Sequence, residues 1–336
     1  LLNSKSFSQD NVFMVNNIKV SGKIDINFTR EKYINIAFEN SFKVLMSKIL
    51  TSSDMNKIGD VSLTNIKNLI NSFQILNEKY KRNKYEANFK IFYNDKKIKK
   101  LLIDKNISFS QPKNISAILF PVLFINNNIK NFEENFFYKN WNKLTINYKL
   151  IDFILPLEDL EDLDKINKMK DSMENLDLTN IANKYDSNNY AFLFMYYNNK
   201  KLNVHIKTNF EGNKIDKNIL YKIDNINDQN TLNLILTELK MQIIDIWKQS
   251  NVVNLLMPLS IKLKFKHANV LDLENLKKNL YKISIIDKYK MEELSINHSY
   301  FKIYYYGNPK RLKSEFSKHG YILSDDQGYW ELFRNG

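Results

Sequence analysis

The chain has 336 residues, with 50 Lys or Arg against 37 Asp or Glu, so its formal net charge is +13. Cysteine is absent and glycine occurs only 7 times, which excludes disulfides, thiolate metal sites and a cysteine nucleophile and disfavours glycine-rich phosphate loops. The hydrophobic fraction of 43% is typical of a folded protein, and no apolar run approaches the roughly 20 residues that span a bilayer.

Residues 1–8 are expected to be the remnant of a signal peptide. Leu1 and Leu2 are compatible with the end of an apolar signal core, and Ser6 and Ser8 with the small residues of a cleavage site. Lys5 is unfavourable beside such a cut, so an ordinary polar terminus is the alternative. A chain without thiols is compatible with an oxidising periplasm.

Residues 9–110 predict an N-terminal α+β module. The run 12–26 predicts a strand that is bent, or folded into a hairpin, at Ser21 and Gly22. Between 29 and 50, apolar residues recur every three or four positions, which predicts a long amphipathic helix. The pattern then predicts a break at 54–60 and a helix that is capped by Ser62 and ends near 71. Two strands are predicted at 73–80 and 85–93, followed by a short helix capped by Asn94 or Asp95.

Residues 111–252 predict a middle α/β module. The run 115–124 is almost continuously apolar, as in a buried central strand, and Pro121 within it predicts a bulge or a strand end. The pattern then predicts a helix at 132–141, an apolar segment ending at 155–156, a helix through 181–185, strands at 190–197 and 204–210, and a helix at 232–247. Such alternation indicates layers of strands and helices.

Residues 253–336 predict a ferredoxin-like βαββαβ module. The pattern predicts strands at 261–265, 285–294 and 300–306, a helix through 273–280, a second helix ending at His319, and a last strand or hairpin at 321–333 that turns at 326–328. Asn308 and Pro309 are typical of a helix start, and Gly320 is typical of a left-handed helix end.

The positive charge is unevenly distributed and consists almost entirely of lysine. It is +9 over 1–110 (19 − 10), −1 over 111–250 (17 − 18) and +5 over 251–336 (14 − 9). The 50 cations are 46 Lys and 4 Arg, and Asn occurs 49 times. Because Arg pairs bidentately with phosphate, this bias favours the codon drift of a low-GC bacterium over a surface selected for nucleic acid.

Several stretches carry a resemblance to a known family. They are the strand before the helix at 30–50, and the stretches 78–80, 85–87, 89–93, 101–102, 119–122, 247–248, 305–307, 320–323 and 328–332. In these patterns the chain resembles the bacterial domain-of-unknown-function family two thousand and sixty-six, which comprises exported proteins of Gram-negative proteobacteria. The resemblance implies export to the periplasm, and it implies no activity and no site residues.

Two groups of residues are candidates for metal or catalytic sites. The acidic run 158–164 lacks the spacing of a calcium loop, and its leucines favour the first turn of a helix, where acids complement the helix dipole. The four histidines are scattered and form no zinc-binding pair; they are His205, His267, His298 and His319. No nucleophile elbow occurs, so the sequence does not favour an enzyme, and no cofactor is expected.

The C-terminal module contains the candidate binding surface. Aromatic and basic residues alternate with apolar ones on two of its predicted strands, so they are expected to share the exposed face of the sheet. The residues are Lys262, Lys264, Lys266, Tyr300, Lys302, Tyr304 and Tyr306. Aromatic and basic residues on an open sheet are also what single-stranded nucleic-acid binders use.

The sequence therefore favours an α/β and α+β protein of three small modules. Its expected function is that of a non-catalytic binding or assembly element of the cell envelope, located in the periplasm, with an envelope protein as its partner. One alternative is a single-stranded nucleic-acid-binding protein that uses the Tyr and Lys face. A second alternative is a hydrolase whose site has no recognisable motif.

Overall fold

The computed structural model describes residues 12–112, 114–146, 148–157, 159–170, 178–253, 258–283, 285–325 and 330–334. Over this part of the chain, the protein is a mixed α/β structure with ten helices and four sheets. The chain divides into two compact units, one containing Pro112–Asn251 and the other joining Val12–Gln111 to Val252–Gly336. The predicted signal remnant lies outside the described residues.

The N-terminal part of the second unit is a three-stranded antiparallel sheet with helices. Its elements are β1 (Met14–Lys23), α1 (Arg30–Ile49), α2 (Ser52–Ile58), α3 (Leu63–Leu69), β2 (Ile70–Lys81), β3 (Lys84–Tyr93), α4 (Asp95–Asp104) and β4 (Phe109–Ser110). The strand order is β1-β3-β2. Alternate residues of β3 are buried, and α1 contacts β1 and β3. One face of the sheet therefore forms a core with α1.

The predicted helix starts in this part are confirmed. The side chains of Thr29, Ser62 and Asn94 each accept a hydrogen bond from the backbone N–H three residues later, at 3.1–3.3 Å. The long helix does end before 54–60, as predicted, but this segment is not free of helix, because the separate helix α2 occupies most of it. Only Ile58 in α2 is buried, so this short helix has no apolar stripe that the sequence could reveal.

Gly22 lies inside β1, which is one continuous strand and not a hairpin. A Cβ atom added at Gly22 would lie 1.9 Å from the hydroxyl oxygen of Tyr33 on α1. The Tyr33 hydroxyl donates to the carbonyl of Lys23 at 3.3 Å. The glycine is therefore needed for the close approach of α1 to β1 and not for a turn.

The first unit contains one large sheet. Its elements are β5 (Ile115–Ile125), β6 (Asn128–Ile129), α5 (Phe136–Asn140), β7 (Ile151–Ile154), α6 (Leu160–Lys168), α7 (Leu178–Asn183), β8 (Tyr190–Asn198), β9 (Lys201–Phe210), β10 (Asn213–Lys222) and α8 (Gln229–Gln249). The strand order is β10-β9-β8-β5-β6, and β7 also pairs with β5. β5 is parallel to β7 and β8, and the other pairs are antiparallel.

Helices cover both faces of this sheet. Leu119 and Leu123 of β5 belong to a core with Leu239 and Trp247 of α8. The alternate β5 residues Ile118, Phe120, Val122 and Phe124 belong to a second core with Ile166 of α6 and Ile181 of α7. Burial on both faces explains why this strand is apolar at almost every position.

The bulge or strand end predicted at Pro121 is wrong, because β5 continues through it in register with β8. On the edge of β5 that faces away from β8, β7 pairs with residues 115–118 and β6 pairs with residues 124–125. Pro121 lies between these two pairings. The Pro121 carbonyl accepts a hydrogen bond from the buried Asn135 side chain at 2.5 Å. A residue without an N–H is tolerated here because no strand in the described part requires that donor.

Two further predictions for this unit need correction. The helix expected at 132–141 is only the short α5, because Asn135 caps it by accepting from the N–H groups of Phe137 and Tyr138. The strand β10 was not predicted. It is exposed over most of its length and pairs with β9, so it lacks the apolar alternation of a half-buried strand.

The C-terminal part of the second unit begins with β11 (Val252–Val253), which pairs with β4 and so joins the two separate parts of this unit. The elements that follow are β12 (Leu259–Lys266), α9 (Val270–Lys282), β13 (Ile286–Leu294), β14 (His298–Tyr305), α10 (Pro309–Lys318), β15 (Tyr321–Ser324) and β16 (Trp330–Arg334). Their order and bounds match the predicted pattern, although the turn at 326–328 lies outside the described residues.

The five strands form a sheet in the order β13-β14-β12-β16-β15. β16 runs parallel to β12, and the other neighbours are antiparallel. Leu263 and Phe301 from the sheet are buried in one core with Leu276 of α9 and Phe316 of α10. These helices therefore pack against one face of the sheet.

Candidate binding face

The seven predicted surface residues lie opposite this core. On β12 and β14 the lysines and tyrosines are exposed or half-buried and alternate with buried residues. Tyr306 continues the alternation directly after β14, and burial, together with nearby Asp287, raises the pKa of its phenol. We call the surface formed by 262, 264, 266, 300, 302, 304 and 306 the open face.

Strand pairing places three lysines in one row across the open face. Lys302 on β14 is directly opposite Lys262 on β12 and, on its other side, Lys290 on β13. Neighbouring strands are about 4.8 Å apart, so the row is about 10 Å long. We call Lys262, Lys302 and Lys290 the lysine row.

Tyrosines lie on both sides of this row along β14. The Lys262 ammonium lies 5.4 Å from the ring centroid of Tyr300. The ring of Tyr304 has two ammonium groups close to it, Lys302 at 5.5 Å and Lys288 at 5.0 Å. Cation–π attraction therefore holds lysine side chains against the rings that alternate with them.

Two carboxylates also lie on this surface. Glu292 approaches Lys262 at 3.4 Å, and Glu331 approaches Lys264 at 3.5 Å and Lys266 at 3.8 Å. The Lys262 and Lys266 side chains are still 64% and 56% exposed in these pairs. Such exposed pairs contribute little to stability, and their lysines remain accessible to another anion.

The sequence did not predict the part of this surface contributed by β13 and β16. Lys288, Lys290 and Glu292 come from β13, while Glu331 comes from β16. The alternation of Lys288 and Lys290 with Tyr289 was a usable signal, because Tyr289 packs against the core. Assigning β13 and β16 to the same surface additionally required the strand order.

The acidic run at the start of α6 has a structural role. Asp159 caps the helix, accepting from the N–H of Glu161 at 2.8 Å, and this bond lowers the pKa of Asp159. The buried Asp162 carboxylate accepts from Lys184 at 2.5 Å, and this bond raises the pKa of Lys184 to about 12. The described acids thus act as a cap and an ion-pair partner, and Glu158 lies outside the described residues.

The histidines do not assemble into a site. Over the part of the chain that the structure describes, no three His, Asp or Glu side chains are grouped as metal ligands. His267 is hydrogen-bonded through Nε2 to the Ser299 hydroxyl at 2.8 Å, and both residues are buried. Within the described residues the other ring nitrogen, Nδ1, has no hydrogen-bond partner, and Ser299 is fully shielded from solvent.

A scan against known protein families gives no match to this sequence, and neither does a search of curated proteins. In the described residues, every helix is too short or too polar to cross a bilayer.

Proposed function

We propose that this is a non-catalytic binding or assembly protein whose binding surface is the open face. The observation that carries the proposal is the register of β12, β13 and β14, which gathers basic and aromatic side chains on the surface opposite α9 and α10. Tyr and Lys at these positions offer both rigid contact area and positive charge to a partner.

We propose the cell envelope of a Gram-negative bacterium as its setting, with a periplasmic location and an envelope protein as partner. The support is the resemblance to the exported family, the signal-like residues at 1–8 and the absence of thiols. Release of the native protein by osmotic shock, together with a periplasmic marker, tests this location. Recovery with the cytoplasmic marker would contradict it.

We further propose three modules, at 9–110, 111–252 and 253–336, the last being a variant of the ferredoxin-like plan. The strand order β13-β14-β12-β16 supports this assignment, because the ferredoxin-like plan has the order 2-3-1-4. The difference lies in the fourth strand. β16 is the second strand of a hairpin, so it runs parallel to β12 where the plan has an antiparallel strand.

Photo-crosslinking tests the binding surface directly. A photoreactive amino acid replaces Tyr304 on the open face, or Tyr281 as a control on α9, in protein expressed in its native cells. Tyr281 is a suitable control because it is 71% exposed and its helix packs on the opposite side of the sheet. We expect a discrete crosslinked product from position 304 only. Equal products, or none from 304, would contradict the proposal.

A single-stranded nucleic acid is the second candidate partner, favoured by Tyr300 and Tyr304 on the same strand as Lys302. Base stacking on aromatic rings and attraction of phosphates by lysine characterise such proteins. Fluorescence anisotropy with a labelled oligonucleotide at two salt concentrations is the test. Binding that weakens with salt and is lost in Tyr300→Ala supports this candidate, whereas salt-independent binding excludes it.

A further inference from the structure

The lysine row is an electrostatic anomaly in the fold. Like charges directly opposite each other on paired strands are destabilising, and here Lys302 faces a lysine on each side. Because Lys302 belongs to both pairs, its substitution by a neutral residue would remove the repulsion between directly opposite charges without touching the core. A feature with a local cost and no structural benefit is typical of a binding site.

Within the described residues, only one lysine of this row has a carboxylate partner. Lys302 and Lys290 have no ion pair there, and Lys262 has only its exposed pair with Glu292 at 3.4 Å. Lys302 is held in place by Tyr304 instead, with its ammonium 5.5 Å from the ring centroid. The row is therefore partly ordered before any partner arrives, which reduces the entropy lost on binding an anion.

We propose that the lysine row is the recognition site for an acidic polypeptide segment of the binding partner. The inference rests on the proposed function of the open face and adds the chemistry of the partner. In an extended segment, acidic residues at every second position put carboxylates about 6.6 Å apart on one side. Two such carboxylates fall within the length of the lysine row.

One observation favours an acidic peptide over a single-stranded nucleic acid. The rings of Tyr300 and Tyr304 have lysine ammonium groups close to them, which a stacking base would have to displace. An acidic peptide would instead bind the ammonium groups themselves and does not require a free ring face.

The test is fluorescence anisotropy on the full chain with three labelled probes: a peptide of alternating Glu and Ser, the same peptide with Gln in place of Glu, and a single-stranded oligothymidine. The variant is Lys302→Gln. Its matched control is Lys278→Gln, which makes the same charge change at an exposed position of α9. Lys302→Arg keeps the charge, and circular dichroism checks that each variant is folded.

We expect only the acidic peptide to bind strongly, with Lys302→Gln weakening it about fivefold, as for the loss of one favourable charge pair. The affinity for the acidic peptide should remain close to that of the unsubstituted protein in Lys278→Gln and in Lys302→Arg. Equal binding of the Glu and Gln peptides, or equal effects of Lys302→Gln and Lys278→Gln, would overturn the proposal. So would binding of the oligothymidine alone.

The failure of this inference can be told apart from failure of the proposed function. If none of the probes binds while the crosslinked product at position 304 persists, the open face still binds a partner but not through an acidic segment. If the crosslinked product is missing as well, both proposals fail.

Discussion

Arg30 and Glu78 form a bidentate ion pair that connects the first turn of α1 to β2. The Arg30 Nε donates to Oε1 of Glu78 at 2.7 Å, and Nη2 donates to Oε2 at 2.9 Å. Tyr85 also donates to Oε1 at 2.7 Å and Tyr80 at 3.2 Å. Because this one carboxylate accepts four hydrogen bonds, its charged form is strongly favoured over its protonated form.

The first prediction concerns pH. The hydrogen bond from Arg30 lowers the pKa of Glu78 from 4.5 to about 2. A depressed carboxyl pKa contributes stability that is fully present above about 4.5 and is lost as the pH falls through about 2. We expect Glu78→Gln to lower the urea midpoint at pH 7 and to lower it less near pH 3.

The control is Glu86→Gln, because Glu86 pairs with Lys84 on the same strand while both side chains are about half exposed. Its effect on the urea midpoint should be smaller at both pH values. Equal effects of the two substitutions, or a Glu78→Gln effect that grows on acidification, would contradict the assigned role of Glu78.

The second prediction concerns the contact between Gly22 and Tyr33. Gly22→Ala should destabilise the protein by about 2 kcal/mol, because its Cβ would overlap a ring that also packs against Tyr85 at 5.0 Å. In a double-mutant cycle, adding Tyr33→Ala should make Gly22→Ala almost neutral, since the overlapping atoms are removed. Additive effects would mean that the two residues are not in contact.

The third prediction concerns the buried Asn135. Its side chain caps α5 and also satisfies the Pro121 carbonyl, so Asn135→Ala should cost about 3 kcal/mol of the free energy of unfolding. Asn94→Ala, which removes a cap on the exposed start of α4, should cost only about 1 kcal/mol. If Asn135→Ala and Asn94→Ala lowered the free energy of unfolding by similar amounts, the contact with the Pro121 carbonyl would have no special role.

The fourth prediction separates stability from binding on the open face. Lys302→Gln should stabilise the folded protein by about 0.5 kcal/mol at low salt, because it removes the charge between Lys262 and Lys290. The gain should shrink at high salt as the repulsion is screened. Chemical denaturation at about 0.01 M and about 0.5 M salt measures both effects. A loss of stability at low salt would show that the lysine row is not strained.

Local features of the structure were predictable from sequence. Helix caps at Ser62, at Asn94 or Asp95, and at Asn308 were predicted, and the side chains of Ser62, Asn94 and Asn308 do cap their helices. A cap is formed by residues three positions apart, so the sequence alone contains the interaction. The amphipathic helix α1 was predictable for the same reason, since its spacing reports which of its residues become buried.

Features that depend on distant partners were not predictable. The ladder of β5 runs through Pro121 because β6, β7 and Asn135 meet its free edge, and none of these is visible in the local sequence. β10 is a strand because β9 pairs with it, although its own residues are mostly polar. Backbone pairing requires no particular side chain, so hydrophobic periodicity misses such a strand.

Because side chains alternate strictly along a strand, the amino-acid sequence is enough to predict that lysines and tyrosines share one exposed side of β12 and β14. Which of these side chains lie next to each other depends on how the strands pair. Only the strand order brings Lys290 beside Lys302 and Lys302 beside Lys262, and only it places Glu331 next to Lys264. Alternation is a local property of the backbone, whereas the neighbours of a charge are set by chain topology, which depends on contacts far apart in sequence.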